Sequence, residues 1–307
     1  MNTTNNILDR IAAKTRERIS VEMRQIPLSE IRRQAERVLQ DSQKASSTPF
    51  SSNANGTDAS SQPDSRDFSS HGGSFRRALA RPGISFICEV KKASPSKGVI
   101  AEHFPYLDIA REYEAAGAAA ISCLTEPHWF LGSDQYLKEI ASQVSIPVLR
   151  KDFTISPYMI YQAKAYGASA ILLICSILDD AELHDYMQLA DELHLDVLTE
   201  AHSAGEIERA ANAGARIIGV NNRNLKTFEV DVENSRRLRD LAPRDALFVS
   251  ESGIRTAEDI RALYENGTDA VLIGETLMRA DDKRAILNEL THLLPKEPLE
   301  EKNHEQD

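Results

Sequence analysis

Phe86-Ile-Cys-Glu-Val-Lys-Lys-Ala-Ser-Pro-Ser-Lys-Gly98 decides how the rest of the chain reads. Ile84, Phe86, Ile87 and Val90 form an apolar run of strand length. Glu89 and Lys91 lie two residues apart, so strand geometry projects both to one face. An acid and a cation leaving a strand end together are costly unless they face a wet pocket or pair with other groups. Ser94-Pro95-Ser96 and Lys97-Gly98 then turn the chain. A surface ion pair at a strand terminus would look the same. What separates the two readings is that the event recurs downstream.

From Phe75 onward strand-like runs alternate with helical patterns. The runs are Ile84–Val90, Ala119–Leu124, Pro147–Leu149, Ser169–Ile174, Asp196–Leu198, Ile217–Val220, Leu247–Val249 and Ala270–Ile273. Helical periodicity fills gaps between them, as in Leu107–Ala116, Tyr158–Tyr166, Ala181–Leu193, Ala204–Ala213, Asn234–Leu241 and Ala257–Tyr264. Gly117, Gly167, Gly214 and Gly267 each stand where a helix ends and the next strand begins. Repeated strand-helix units imply a parallel sheet, and eight of them close into a (β/α)₈ TIM barrel. The barrel is expected over residues 75–295, with a charged polar tail at 296–307.

Upstream, Ile7 to about Gln40 carries apolar residues at threes and fours, interrupted by Pro27. Residues 1–40 therefore read as a two-helix extension packed against the barrel. Residues 41–74 are of another kind. Eleven of the thirty-three positions from Ser42 to Ser74 are serine, and only Phe50 and Phe68 are large and apolar. Such a segment cannot bury enough surface to offset the entropy of ordering it, so a disordered insertion is expected.

The 307 residues carry a net charge of -11, which argues against a nucleic-acid or anionic-membrane surface. A small anionic ligand needs only a local cluster of donors. The three cysteines, Cys88, Cys123 and Cys175, have no metal-ligand spacing, and no signal peptide or membrane-length apolar run is visible. A cytoplasmic monomer with reduced thiols is expected, without metal or cofactor.

In a barrel of this kind the site lies at the C-terminal ends of the strands. Following each run gives Glu89 and Lys91, Thr125-Glu126, Arg150-Lys151-Asp152, Cys175-Ser176, Glu200, Asn221-Asn222-Arg223, Glu251-Ser252-Gly253 and Gly274-Glu275. Lysines, arginines, asparagines and carboxylates converging on one rim are hard to explain as a solvated edge. The glycine turns after the last two strands, at Ser252, Gly253, Gly274 and Glu275, read as a phosphate cradle of backbone N–H groups. Lysines beside carboxylates, with no cofactor motif, point to general acid–base work on a phosphorylated small molecule. An isomerase, a lyase and an aldolase-like enzyme all remain open on the residues alone.

Six stretches narrow this: Glu89-Val-Lys-Lys-Ala-Ser-Pro-Ser-Lys-Gly98, Leu149-Arg-Lys-Asp-Phe153, Leu198-Thr-Glu-Ala-His202, Gly219-Val-Asn-Asn-Arg-Asn-Leu225, Ser250-Glu-Ser-Gly-Ile254 and Leu272-Ile-Gly-Glu-Thr-Leu-Met278. Together they resemble indole-3-glycerol phosphate synthase, in order through the barrel and including the leading helices, which that family uses to cover its active site. The serine-rich insertion is the departure. The resemblance implies closure of the indole ring of tryptophan, in which carboxyphenylamino-deoxyribulose 5-phosphate loses carbon dioxide and water. It implies Lys151 as general acid at the sugar carbonyl, and Lys91, oriented by Glu89, on the substrate carboxylate and as a proton donor in dehydration. Glu200 is implied as the base for the ring proton, with Asn221 and Glu251 positioning the sugar hydroxyls and the intermediate. Arg223 and Ser94 are implied as supporting contacts, and the phosphate is implied near Ser252, Gly253, Gly274 and Glu275. How the acid role divides between the two lysines stays open.

Two other readings compete. Phosphoribosylanthranilate isomerase would present a cysteine base at the first strand end, but strand alternation turns Cys88 away from the face of Glu89. A non-catalytic phosphosugar-binding barrel would have lost some of Lys91, Lys151, Glu200 or Glu251, and all four are present.

Overall fold

The computed structural model describes residues 7–47, 73–224 and 228–295. Eight parallel strands close into a barrel, each bonded to its neighbours in chain order and the last to the first. They are β1 (Ser85–Val90), β2 (Ala120–Leu124), β3 (Val148–Lys151), β4 (Ala170–Ile174), β5 (Asp196–Ala201), β6 (Ile217–Asn221), β7 (Leu247–Glu251) and β8 (Ala270–Ile273). Four strands run past the apolar residues that announced them. Lys151, Glu200, Asn221 and Glu251 are the last or nearly last ladder residues of their strands, not loop residues beyond them. The hydrogen-bonded ladder is indifferent to side-chain polarity, so a strand continues wherever its neighbour offers partners.

Alternation along each strand divides the core in two. Ile87, Leu149, Leu172, Leu198, Val249 and Leu272 fill the barrel interior. Phe86, Cys88, Ile121, Leu173, Ile218 and Phe248 belong to an outer core shared with the surrounding helices. Cys88 thus lies outside the barrel, as alternation requires.

Two helices precede the barrel, α1 (Ile7–Gln25) and α2 (Leu28–Ser47), broken at Pro27. α2 runs beyond the expected end near Gln40. Its last turns are polar and carry no apolar rhythm, but Ser42 Oγ bonds back to the Val38 carbonyl and the backbone stays helical. Residues 48–72, where most of the serine-rich insertion falls, and the tail from 296 lie outside the described residues. A short helix unmarked in the sequence, α3 (Ser74–Leu79), lodges the fully buried Phe75 and Leu79 in the interior core. The Asp196 carboxylate at the start of β5 accepts from the backbone N–H groups of Gly73 (3.1 Å) and Arg76 (2.9 Å) and so holds this helix in place. A further helix, α5 (Asp134–Gln143), follows β2 after α4 (Tyr106–Ala115) and is also unmarked.

α1 is fastened to the catalytic end of the barrel. The Arg18 guanidinium donates to both oxygens of Asp152, each at 2.9 Å, directly after β3. Gln162 donates to Glu22 (2.9 Å), and the Tyr158 hydroxyl donates to the Ile26 carbonyl (3.1 Å). Both donors stand on α6 (Pro157–Ala165), along which α2 also packs. On the far side α6 meets α7 (Asp180–Glu192), whose first turn is closed by a reciprocal cap between Asp179 and Glu182.

Candidate active site

A cavity of about 390 Å³ opens at the C-terminal ends of the strands. Its polar floor follows from one rule. Glu89, Lys151, Glu200 and Glu251 each stand two residues after an interior apolar residue (Ile87, Leu149, Leu198 and Val249), so each points into the barrel one step above the core. All twelve residues that the resemblance implies for the site, from Glu89 to Glu275, line this cavity.

Two ion pairs organise the floor. The Lys91 ammonium lies 2.6 Å from Glu89 Oε2. The Lys151 ammonium lies 2.7 Å from Glu251 Oε2 and 3.4 Å from Glu200 Oε2. Burial works against the charge on Lys151, but Glu251, Glu200 and Glu89 outweigh it and hold the ammonium well above its ordinary range. Burial acts most strongly on Glu251. Lys151 opposes that effect and Glu200 reinforces it, and the carboxyl is pushed up to about 7. The charge count explains why: three carboxylates share two ammoniums, so one carboxyl keeps its proton most easily. Glu251 Oε1 is buried against Gly219 and has no hydrogen-bond partner among the described residues.

Two glycines make room for these groups. A Cβ at Gly219 would stand 2.3 Å from Glu251 Oε1, and one at Gly274 would stand 2.7 Å from the Lys91 ammonium. Gly219 carries no charge or motif that would have marked it. Ser252 and Gly253 both take left-handed φ, +70° and +85°, at the turn after β7. Thr256 then caps α10 (Ala257–Glu265). The helix that begins at Glu275, α11 (Glu275–Met278), is a single turn, so glycine geometry rather than a long helix shapes that side of the cradle. The Glu275 carboxylate lies 3.3 Å from Arg279 Nε and 3.8 Å from the Lys97 ammonium.

Several polar strand-end residues do not face the cavity. Arg150 is fully buried outside the barrel, donating to Asp134 (2.9 Å), Gln162 (2.7 Å) and the Met159 carbonyl (2.8 Å). Alternation puts it on the opposite face from Lys151. Asn222 donates to Ser250 Oγ (3.0 Å) and the Ser252 carbonyl (3.1 Å), pinning the turn after β7. Glu126 accepts from the backbone N–H groups of His128, Trp129 and Phe130 and shapes that loop. Asp152 lines the cavity, but burial notwithstanding, Arg18 and Arg150 hold its carboxyl below the usual range.

The opposite wall is apolar. Ile7, Leu8 and Ile11 of α1 meet Phe130, Phe153 and Leu172 across the mouth. The periodicity of α1 marked Ile7, Leu8 and Ile11 as apolar positions, but nothing in it said that they would line a cavity. Cys88, 0% exposed in the outer core, is remote from this chemistry, and burial alone pushes its thiol up.

The family model for indole-3-glycerol phosphate synthase matches residues 31–290. The chain belongs to the indole-3-glycerol phosphate synthase family. An indole-3-glycerol phosphate synthase of Ruminiclostridium cellulolyticum is 52% identical over 284 residues, covering 92% of this chain and 98% of that protein. One from Lachnoclostridium phytofermentans is 48% identical, covering 94% and 100%. Among solved structures, 3-hexulose-6-phosphate synthase from Salmonella typhimurium aligns with a TM-score of 0.57 at 13% identity, over 68% of this chain and 97% of that one. The tryptophan synthase α-subunit of Pyrococcus furiosus aligns at 0.53 and 14%, over 69% and 99%. At such identities these structures speak for the barrel alone.

Proposed function

We propose that the chain closes the indole ring of carboxyphenylamino-deoxyribulose 5-phosphate, releasing carbon dioxide and water, as a cytoplasmic monomer. The observation that carries this reading is the Lys151 ammonium held between Glu251 and Glu200 at the floor of a cavity with one apolar wall. The substrate is an aromatic carboxylate joined to a sugar phosphate, and the cavity offers a matching surface to each part. Every group the reading needs comes from a single chain, and no described helix is long and apolar enough to cross a membrane.

The aryl ring lies against Phe130, Phe153 and Leu172, beneath the first turns of α1. Lys91, aligned by Glu89, receives the carboxylate. The phosphate rests beside Ser252, Gly253, Gly274 and Glu275, with Ser94 and Arg223 as flanking contacts. Attack by the aryl carbon turns the sugar carbonyl towards an alkoxide, and the Lys151 ammonium gives it a proton. Such a donor contributes roughly two to four powers of ten in rate. Loss of carbon dioxide restores the ring. A second proton from an ammonium lets the hydroxyl leave as water, and Glu200 removes the proton from the adjacent carbon. Asn221 and Glu251 hold the sugar hydroxyls meanwhile. Anchoring the phosphate supplies binding energy remote from the reacting atoms, and the α1 cover keeps water from the intermediates.

The test is to incubate the purified protein with carboxyphenylamino-deoxyribulose 5-phosphate and follow indole fluorescence beside a Lys151→Ala variant. Indole product from the wild type, with at least about a hundredfold loss in the variant, is the expected result. Comparable rates from both would keep the synthase and transfer the acid to Lys91. A folded wild type that makes no product would sink the reading.

A further inference from the structure

Behind Glu200 stands a histidine that takes no part in these proton transfers. His202 lies one residue beyond the end of β5, and its side chain is four-fifths buried. Its Nε2 lies 3.5 Å from Glu200 Oε1, and its Nδ1 lies 3.4 Å from Glu206 Oε2 on α8 (Ala204–Asn212). The same Glu206 oxygen accepts the His202 backbone N–H at 2.7 Å, so one carboxylate fixes both the residue's backbone and its ring. Asn234, on α9 (Glu233–Arg239), donates to the His202 carbonyl at 3.5 Å. The ring is therefore held from behind, with Nε2 buried, turned to Glu200 and lacking any hydrogen-bond partner among the described residues.

A buried ring nitrogen left unpaired is costly, and a carboxylate just beyond ideal hydrogen-bond distance is its natural partner. Glu200 would then be held on both oxygens, Oε2 by Lys151 and Oε1 by the imidazole. The two clamps differ in what they do during the reaction. Lys151 gives up its proton at the carbonyl, so its hold on Glu200 weakens just before Glu200 has to act. The imidazole takes no part in that transfer and keeps its charge.

We infer that His202 is the positioning residue of the general base: as an imidazolium held by Glu206, it orients Glu200 and keeps a positive charge beside it while Lys151 is discharged. The inference rests on the synthase reading and on Glu200 as its base. The charged groups that face the imidazole are Glu206, Glu200 and, farther away, Glu251. All three are acids. Burial opposes the charge on the ring, but these carboxylates prevail and raise His202 above its ordinary value of 6.5. Glu206 is itself held below the usual carboxylate range: burial opposes this, and His202 and then Arg209 outweigh it.

The pH effect has a definite sign. Below the raised value the imidazole is charged and Glu200 is clamped. Above it the clamp is lost, so wild-type activity falls on the alkaline side. In His202→Gln no imidazole remains to titrate beside Glu200, so the alkaline limb that reports it is lost from the kcat/KM profile. Glu206→Gln keeps the imidazole but removes the carboxylate that charges it, so the alkaline limb moves to lower pH.

The experiment is the pH dependence of indole product formation by wild type, His202→Gln, Glu206→Gln and Glu200→Gln, each checked for folding by its thermal transition. Expected for His202→Gln is a loss in kcat of about tenfold at neutral pH, KM within about threefold, and loss of the wild-type alkaline limb. Glu200→Gln should lose at least about a hundredfold. A folded His202→Gln whose alkaline limb coincides with that of the wild type overturns the inference, as does a Glu206→Gln variant with an unmoved alkaline limb. An inactive wild type removes the synthase reading itself. An active wild type with an equally active Glu200→Gln removes only the base assignment and, with it, this role for His202.

Discussion

Glu251 provides a quantitative handle on the site, because its protonation couples the electrostatics to folding. Burial, with Glu200 close by, raises its folded-state value from the ordinary 4.5 to about 7. A carboxyl raised on folding contributes stability that is full below the unfolded value and is lost as pH rises through the folded one. Between those limits the folded chain binds a proton that the unfolded chain has released. The interval corresponds to about 3 kcal/mol, an upper bound because Glu200 shares the same field. Glu251→Gln preserves shape and removes the titration. The variant is inactive on the proposed mechanism, so the readout is stability alone. Urea unfolding at pH 5 and at pH 8 gives two values for each chain. Other groups titrate alike in both and largely cancel, and Lys151 stays charged throughout through Glu200 and Glu89. The expected outcome is that the variant gains on the wild type by about 2–3 kcal/mol between pH 5 and pH 8, whatever fixed cost it carries from loss of the Lys151 contact. A difference that is the same at both pH values, within about 0.5 kcal/mol, would refute the idea that two ammoniums are shared by three carboxylates.

Three further outcomes are expected. Gly219→Ala places a Cβ 2.3 Å from Glu251 Oε1, so it should displace that carboxylate and lower kcat by about tenfold or more, and full activity would show that Glu251 tolerates another position. Arg18→Met removes the bidentate partner of the fully buried Asp152, leaving Arg150 at 3.6 Å as its remaining cation, so unfolding free energy should fall by about 2–4 kcal/mol; a loss below about 0.5 kcal/mol in chemical denaturation would mean that α1 is not fastened there. Gly253→Ala forces a left-handed alanine whose Cβ lies 2.3 Å from Val230 Cγ1, and it should raise KM for the sugar phosphate more than it lowers kcat, whereas an unchanged KM would remove that turn from the phosphate site.

The barrel was legible because each strand announces itself by an apolar run, and four of the helices that precede strands by a glycine stop at Gly117, Gly167, Gly214 or Gly267. What escaped was whatever depends on a partner. Strand ends escaped because ladder bonds, not side chains, decide how far β5 or β7 runs. α3 escaped because six residues are too few for a period to show, and its place is set by Asp196, more than a hundred residues away. Among the site residues, Lys151 and Arg150 adjoin in sequence and share a charge sign, yet one faces the cavity and the other the outer core. Alternation from Leu149 assigns them correctly, whereas listing every polar group after a strand does not. Gly219 and the apolar wall were invisible for a different reason, since a residue that matters by making room, or by sharing a surface with a ligand, has no chemistry of its own to notice.

The same alternation explains why this site can be acidic and still work through lysine. A strand allows one inward side chain every two residues, so the layer above the core has few places, and here Glu89, Lys151, Glu200 and Glu251 occupy them. Each ammonium stands beside a carboxylate, and at Lys151 the neighbouring acids outweigh burial and keep the amine charged, as the proposed proton donor must be before the reaction starts. That arrangement alone would leave a weak acid, because three carboxylates hold the proton tightly. On the proposed mechanism the substrate supplies what is missing: its carbonyl, brought beside Lys151, becomes a far stronger base as it turns into an alkoxide. The proton then passes from Lys151 to that oxygen, while Glu251 and Glu200 stay in place around the amine.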